Sequence, residues 1–467
     1  MRVSRTPPPS EPRDRRIPAT LPAQAVRQQA ISPLQSLAFY VAVMVLFLVQ
    51  SRVLEQVAAG LGASLHLLLV LSVLALVLVV LGGGLRQALS NRPAALLALL
   101  TALFLLSVPF SVWKGGSVGL MLLWFRSLFY FVIVAGSVVS VRQCKQAMYA
   151  LACAGVAIGI ESLLAASETS ERLQLETAGS LSNPNDLAFF LIFSIPFCIL
   201  VTLAATRKVF KAVGIVIAFA LLLAVFRTGS RGGIVLAVVL FAMLFLAASP
   251  ILRFVGTLCV VILVAVGIAI VPHSVLERYR LMTTTVAENP EAGRSTEEEK
   301  AVESSINRME LLKTSIRYTF RHPLVGVGPG MFGVAVNDDF KATKDQEEIG
   351  VAWHATHNTY TQISCETGIP ALVVFVSILG YGLRTTFRLY RGLRGRPELG
   401  VIRNCAYCLW LAFVLYAVNG IFMSIGYAPF LPILAALTFC VHRAASAQVR
   451  ILEYTRKQPQ AAAVRAM

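Results

Sequence analysis

The stretch DLAFFLIFSIPFCILVTLAATRKVFKAVGIVIAFALLLAVFRTGSRGGIVLAVVLFAMLFLA, residues 186–247, holds three long apolar runs separated by two short charged breaks. Each run approaches the roughly 20 apolar residues needed to cross a hydrocarbon core of about 30 Å. The first break carries Arg207, Lys208 and Lys211; the second carries Arg227 and Arg231 inside FRTGSRGG. Three consecutive membrane crossings with cations confined to their ends is the reading that sets the fold class.

The rest of the 467 residues extends the pattern. Only 14% of the chain is charged and 57% is hydrophobic, against about a quarter charged in soluble domains. Twelve candidate runs cover residues 35–51, 65–82, 93–111, 117–140, 146–166, 186–205, 209–226, 232–249, 253–272, 369–386, 405–424 and 427–443. The chain therefore reads as an all-α integral membrane protein with about twelve transmembrane helices.

Orientation follows from the cations. Of the 41 Lys and Arg, 25 fall in alternate loops and in both terminal segments, and five in the short loops between. The positive-inside rule then places both termini in the cytoplasm. The net charge of +17 is spread between apolar runs and forms no patch for nucleic acid. The eight cysteines lie mostly in apolar stretches (Cys153, Cys198, Cys259, Cys440), and Cys405 and Cys408 open an apolar helix with no second pair nearby, so packing is expected of them.

Five regions follow: a Pro- and Arg-rich disordered cytoplasmic tail, 1–34; helices 1 to 9, 35–272; a large partly helical periplasmic region, 273–368; helices 10 to 12, 369–445; and a cytoplasmic tail, 446–467. The periplasmic region holds 14 acidic against ten basic residues. Within it Ser295 and Glu298 have capping-box spacing. They precede a helix with an apolar face of Ile306, Met309, Ile316 and Phe320, ended by His322-Pro323 and the glycines of GVGPG.

Chemistry concentrates at the outer ends of the spans. Arg227 and Arg231 lie where orientation gives no reason for cations, and the glycines after Arg231 admit close approach of a ligand. A guanidinium pair suits a pyrophosphate, because the planar fork binds phosphate oxygens in a bidentate way. Arg126 lies within the fourth span, where an arginine costs at least ~2.5–3.5 kcal/mol and needs a partner or a cavity; Glu161 is the candidate partner. WHATHNTYTQISCETG, from Trp353 to Gly368, is the densest polar stretch. A neutral imidazole there, on His357 or His354, suits a general base. His354 and His357 lack the wider ligand pattern of a zinc site, and GVGPG lacks both a dinucleotide fingerprint and a P-loop lysine, so no metal, cofactor or nucleotide is expected.

Four stretches resemble the O-antigen ligase and polymerase superfamily of bacterial envelope enzymes: SNPNDLAFF (182–190), TGSRGG (228–233), NRMELLKTSIRYTFRHPLVGVGPGMFG (307–333) and HNTYTQISCETG (357–368). The last fits the ligase signature at His357, Asn358 and Gly368 and departs from it at Ala371. The resemblance implies a GT-C-like plan in the bacterial inner membrane. It also implies an inverting, metal-independent transfer of a glycan from undecaprenyl pyrophosphate to a hydroxyl of lipid A-core at the periplasmic face. It makes His357 the catalytic base and Arg231 and Arg308 the arginines that hold the pyrophosphate. Arg227, Arg126, His354, Arg317, Arg321, Asn183, Asn185 and Asn358 come second as substrate-binding positions. A polymerase and a protein O-oligosaccharyltransferase would share the donor and differ in acceptor. A polysaccharide transporter would show pseudo-symmetric halves, and no internal repeat is present.

Overall fold

The computed structural model describes residues 32–61, 66–164, 173, 175, 181, 183–270, 296–343 and 355–465. Seventeen α-helices run through them, with no strand among the described residues. They are α1 (Pro33–Ser51), α2 (Val53–Leu61), α3 (Leu67–Leu81), α4 (Gly84–Leu89), α5 (Arg92–Ser107), α6 (Lys114–Ser137), α7 (Val141–Leu164), α8 (Pro184–Ala204) and α9 (Lys208–Arg227). There follow α10 (Arg231–Ala247), α11 (Pro250–Ile270), α12 (Thr296–Arg321), α13 (Phe332–Thr343), α14 (Thr359–Thr367), α15 (Ile369–Gly392), α16 (Gly400–Asn419) and α17 (Phe430–Arg465). Almost all of the expected N-terminal tail, together with Ser295 and His354, lies outside the described residues.

Each of the twelve apolar runs is a helix. Nine of the described helices are long and apolar enough to cross a membrane, and Leu67–Leu81, Arg231–Ala247 and Pro250–Val266 are shorter apolar helices. The chain is an all-α integral membrane protein. In hydrocarbon every backbone group needs an internal partner, and the helix starts show how the sequence provides it. Ser32 and Gln35 form a reciprocal capping box on α1, Asn91 caps α5 through Ala94 N–H, and Asn183, Ser230 and Asn358 cap α8, α10 and α14.

The hub of the bundle is α8, which packs against α7, α9, α10 and α16. Its Phe189, Phe190 and Phe193 surround Phe430 at the start of α17, with ring centroids 4.9, 5.1 and 5.0 Å away and near edge-on geometry. This aromatic pin ties the start of α17 to the N-terminal half of α8. The CxxC pair is packing: Cys405 and Cys408 are free and buried in α16.

One expectation is corrected. The segment after α1 forms the helix α2. Residues of α2, α3 and α6 enclose a cavity of about 260 Å³ into which Arg126 projects beside Glu55, His66, Ser72 and Tyr130. Glu161 does not serve Arg126; its Oε2 is buried with no hydrogen-bond partner among the described residues.

The amphipathic helix expected before His322-Pro323 is α12, and of its two expected placements, on the membrane surface or over the bundle mouth, its exposed stripe suits the first. It packs through Leu311, Ser315, Tyr318 and Thr319, and Leu311 and Tyr318 share a small core with Val327, Met331, Phe332, Ala335, Val336 and Cys365. The stripe read as its apolar face points outward, Met309, Ile316 and Phe320 being 54%, 42% and 73% exposed. Tyr318, on the opposite side of the helix, and Thr319, on its flank, bury their hydroxyls in hydrogen bonds to Ala335 O and to Ser364 Oγ. That leaves the Met309, Ile316 and Phe320 side with the hydrocarbon character of a surface-lying amphipathic helix.

Candidate active site

The TGSRGG turn is built by its hydroxyls. Thr228 donates to Val225 O, which closes α9, and Ser230 accepts from Gly233 N–H at 3.2 Å, which opens α10. Ser230 Oγ also donates to Asn185 Oδ1 at 2.8 Å. Asn183 in turn accepts from Asn185 N–H at 2.9 Å and caps α8. The N-termini of α8 and α10 are thereby tied side by side, and their dipoles add positive potential where Arg231, in the first turn of α10, is half-buried. Arg227, in the last turn of α9, is half-buried across the same turn.

Arg308 reaches this place from a distant part of the chain. It lines a narrow cleft with Asn185, Ser230, Gly232, Asn419 and Phe422. The free space there is about 10 Å³, enough for about one water; a larger anion requires the side chains at the mouth to turn outward. Among the described residues lining the cleft none is acidic, while Asp186 stands in the first turn of α8 beside it.

His357 is brought to the rim of the cleft by a set of ties to the α16–α17 connection. Thr359 N–H donates to Gly420 O at 2.7 Å, Asn358 Nδ2 to Ile421 O at 3.3 Å, and Thr359 Oγ1 to Met423 O at 2.6 Å. Thr356 and Ser424 share a hydroxyl contact at 2.9 Å. Phe422 and Met423 of that connection are cleft residues. Asn358 also caps α14 by accepting from Tyr360 and Thr361 N–H. His357 itself is half-buried and has φ +49°, in the left-handed region that costs a non-glycine residue roughly 1–2 kcal/mol. Such backbone strain persists where surrounding contacts over-determine it and clusters at functional sites.

The sequence reading missed Glu366. It stands in the last turn of α14, where the helix dipole disfavours an acid; that unfavourable placement in an otherwise uncharged helix was the available signal. The carboxylate is buried and accepts from Gly330 N–H at 2.9 Å, with Phe332 N–H also directed at it and the Tyr427 phenol beside it. Burial pushes its carboxyl up to about 7.

GVGPG is the partner of this helix. Val327 and Gly328 N–H donate to Cys365 O and Glu366 O, each at 2.9 Å, and Val112 N–H donates to Val327 O at 3.0 Å. Gly328 has φ +108° and a Cβ there would meet Ser111 Oγ at 2.1 Å. The glycines therefore serve close packing of backbone between α14 and the segment before α6, and not a phosphate cradle.

The remaining predicted positions separate. Asn183, Asn185 and Asn358 build the cleft or its rim, as above. Arg317 is exposed on α12, nine residues from Arg308 and on another face. Arg321 is exposed, pairs with Asp339 at 3.0 Å and lies over the Tyr318 ring. Arg126 occupies its own cavity with α2 and α3. Among the described residues no three His, Cys, Asp or Glu side chains converge.

Fold and site define a polytopic α-helical membrane protein that gathers arginines, capped helix N-termini and a strained histidine at one end of its bundle. Residues 216–376 match the family model described as O-antigen ligase, which places this stretch in the O-antigen ligase superfamily that the motifs resemble. The match takes in Arg227, Arg231, Arg308 and His357 and begins after Asn183 and Asn185. It supports a glycan-transferring ligase or polymerase class for this multi-pass membrane chain. No curated protein matches the chain.

Proposed function

We propose that this protein is an O-antigen ligase. It transfers a glycan from undecaprenyl pyrophosphate to a sugar hydroxyl of lipid A-core, without a metal and with inversion at the anomeric carbon. The enzyme sits in the bacterial inner membrane with both termini in the cytoplasm and the cleft facing the periplasm. The observation that supports this best is the meeting, at one cleft, of Arg308 from α12 with the Ser230–Asn185 tie beside Arg231, while the His357 loop is laced to Phe422 and Met423 on the same rim.

In this reading the neutral His357 imidazole takes the proton of the acceptor hydroxyl as its oxygen forms the new bond to the anomeric carbon. The bond from that carbon to the pyrophosphate oxygen breaks on the opposite face, and its electron pair stays on undecaprenyl pyrophosphate. Arg231 and Arg308, aided by the α8 and α10 N-termini, stabilise the charge that develops on the leaving oxygen, the kind of preorganised stabilisation that is often the largest catalytic term. A cationic pair that is always charged makes a divalent ion unnecessary.

The test combines purified protein, an undecaprenyl-pyrophosphate glycan, lipid A-core and excess EDTA, with the product separated by gel. A glycan-bearing lipid A that disappears in His357→Ala is expected. A glycan that only lengthens on its own carrier identifies a polymerase, transfer to a protein hydroxyl identifies an oligosaccharyltransferase, and inhibition by EDTA reversed by Mg²⁺ overturns the metal-free mechanism.

A further inference from the structure

A cavity of about 1240 Å³ lies at the end of the bundle opposite the cleft, between the start of α5, the second half of α15 and the middle of α17. Its charged part is formed by Arg92, Arg384, Arg388 and Arg396, with His442 beside them. Among the described residues that line it, none is acidic. Arg384 and Arg388 are four residues apart on one helix face, where like charges repel, and Arg92 opens α5, whose positive dipole end adds to the same field. Positive-inside topology explains cations in this loop region but not their convergence on one concavity. Four exposed arginines around one space, with no acidic residue among the described lining, favour an anion that makes more than one contact.

The shape of the cavity says what carries that anion. Along α15 it runs from Ser377 to Gly392, about 22 Å at 1.5 Å per residue. Its deep part is in the membrane-spanning portion of the helix, and its floor includes Phe439, Leu389 and Val449. Gly380 keeps the wall open: a Cβ there meets nothing within 4 Å. A space larger than the roughly 300–1,000 Å³ typical of small-molecule pockets, reaching from the spanning part of α15 to its arginine-bearing end with Leu389, Leu393 and Val449 interleaved among the cations, fits an amphiphile better than a soluble phosphate.

We propose that this cavity binds an acidic phospholipid, its headgroup phosphate held by Arg92, Arg384, Arg388, Arg396 and His442 and its acyl chains laid along the open Gly380 side of α15. Basic pockets between spanning helices on the anionic leaflet are suited to such headgroups. The site is separate from the cleft, and its occupation does not depend on which acceptor the enzyme uses.

The experiment is native mass spectrometry of the full-length protein, delipidated in detergent and then mixed with cardiolipin, phosphatidylglycerol or phosphatidylcholine, with and without millimolar inorganic phosphate. Wild type is expected to retain cardiolipin and phosphatidylglycerol over phosphatidylcholine in the presence of phosphate. The R384Q/R388Q double variant should bind the acidic lipids about thirty-fold more weakly, from roughly a fivefold contribution per arginine. G380L, which fills the groove and leaves all four arginines in place, should lose the acidic lipid as well, while both variants melt like wild type in neutral detergent. Equal retention of acidic and neutral lipid overturns the proposal, as does unchanged binding in both variants. Displacement of the lipid by inorganic phosphate would instead assign the site to a soluble anion.

Discussion

Replacing Glu366 by Gln is expected to flatten the pH dependence of stability. In the fold its carboxyl sits at about 7, because burial outweighs the N–H groups of Gly330 and Phe332, whereas its ordinary value is 4.5. As pH rises the unfolded chain loses this proton first. The folded state holds it longer, so the contribution is fully present below 4.5 and is lost as pH rises through 7. The whole effect is about 3 kcal/mol, and about 2.5 kcal/mol of it falls between pH 5 and pH 8. Gln keeps an acceptor for Gly330 N–H and has no proton to lose. Reversible unfolding by SDS in mixed micelles, followed by helical circular dichroism at each pH from 5 to 8, should show a falling stability for wild type and a much flatter line for E366Q. Parallel lines for the two proteins would refute the assignment of Glu366 as the titrating brace between α14 and the GVGPG segment.

Other outcomes follow from the same geometry. H357A should lose transfer while remaining inserted and folded, and H357G, equally inactive, should be about 1 kcal/mol more stable than H357A because only glycine adopts φ +49° without strain; equal unfolding midpoints would argue against the left-handed backbone. R231K and R308K should each lower transfer on the order of 10²-fold or more despite retained charge, since an ammonium lacks the guanidinium fork; full activity in both would remove the pyrophosphate assignment. G328A should destabilise by about 3 kcal/mol or more, its Cβ meeting Ser111 Oγ at 2.1 Å from a backbone at φ +108°. G119A, whose Cβ meets nothing within 4 Å in α6, should by contrast gain up to about 1 kcal/mol, and thermal melts of the pair decide it.

The sequence alone determined the membrane class, the number of apolar runs and the places where helices start. Apolar length and the residues Ser32, Asn91, Asn183, Ser230 and Asn358 act locally, within one turn of where they stand, so neither needs a partner from elsewhere in the chain. The same holds for the argument that sets Arg308 and Arg317 on different faces, which rests on helical pitch. Which side of α12 is buried was not legible. Met309, Ile316 and Phe320 have the hydropathy of a core stripe, and the outcome turned on where Tyr318 and Thr319 found buried hydroxyl partners 17 and 45 residues away.

Three further features required the tertiary structure. Arg126 receives a cavity from α2 and α3 and not a countercharge from Glu161, because α2 folds back beside α6. Glu366 becomes a buried brace only when GVGPG is laid across α14, some 36 residues away in sequence from its Gly330 partner. The cleft itself joins Asn185, Ser230, Arg308 and Phe422, drawn from four separate segments. Residue types name the chemistry a chain can perform, but the field at a site is a sum over neighbours, and in this protein those neighbours are chosen by helix packing that no local pattern records.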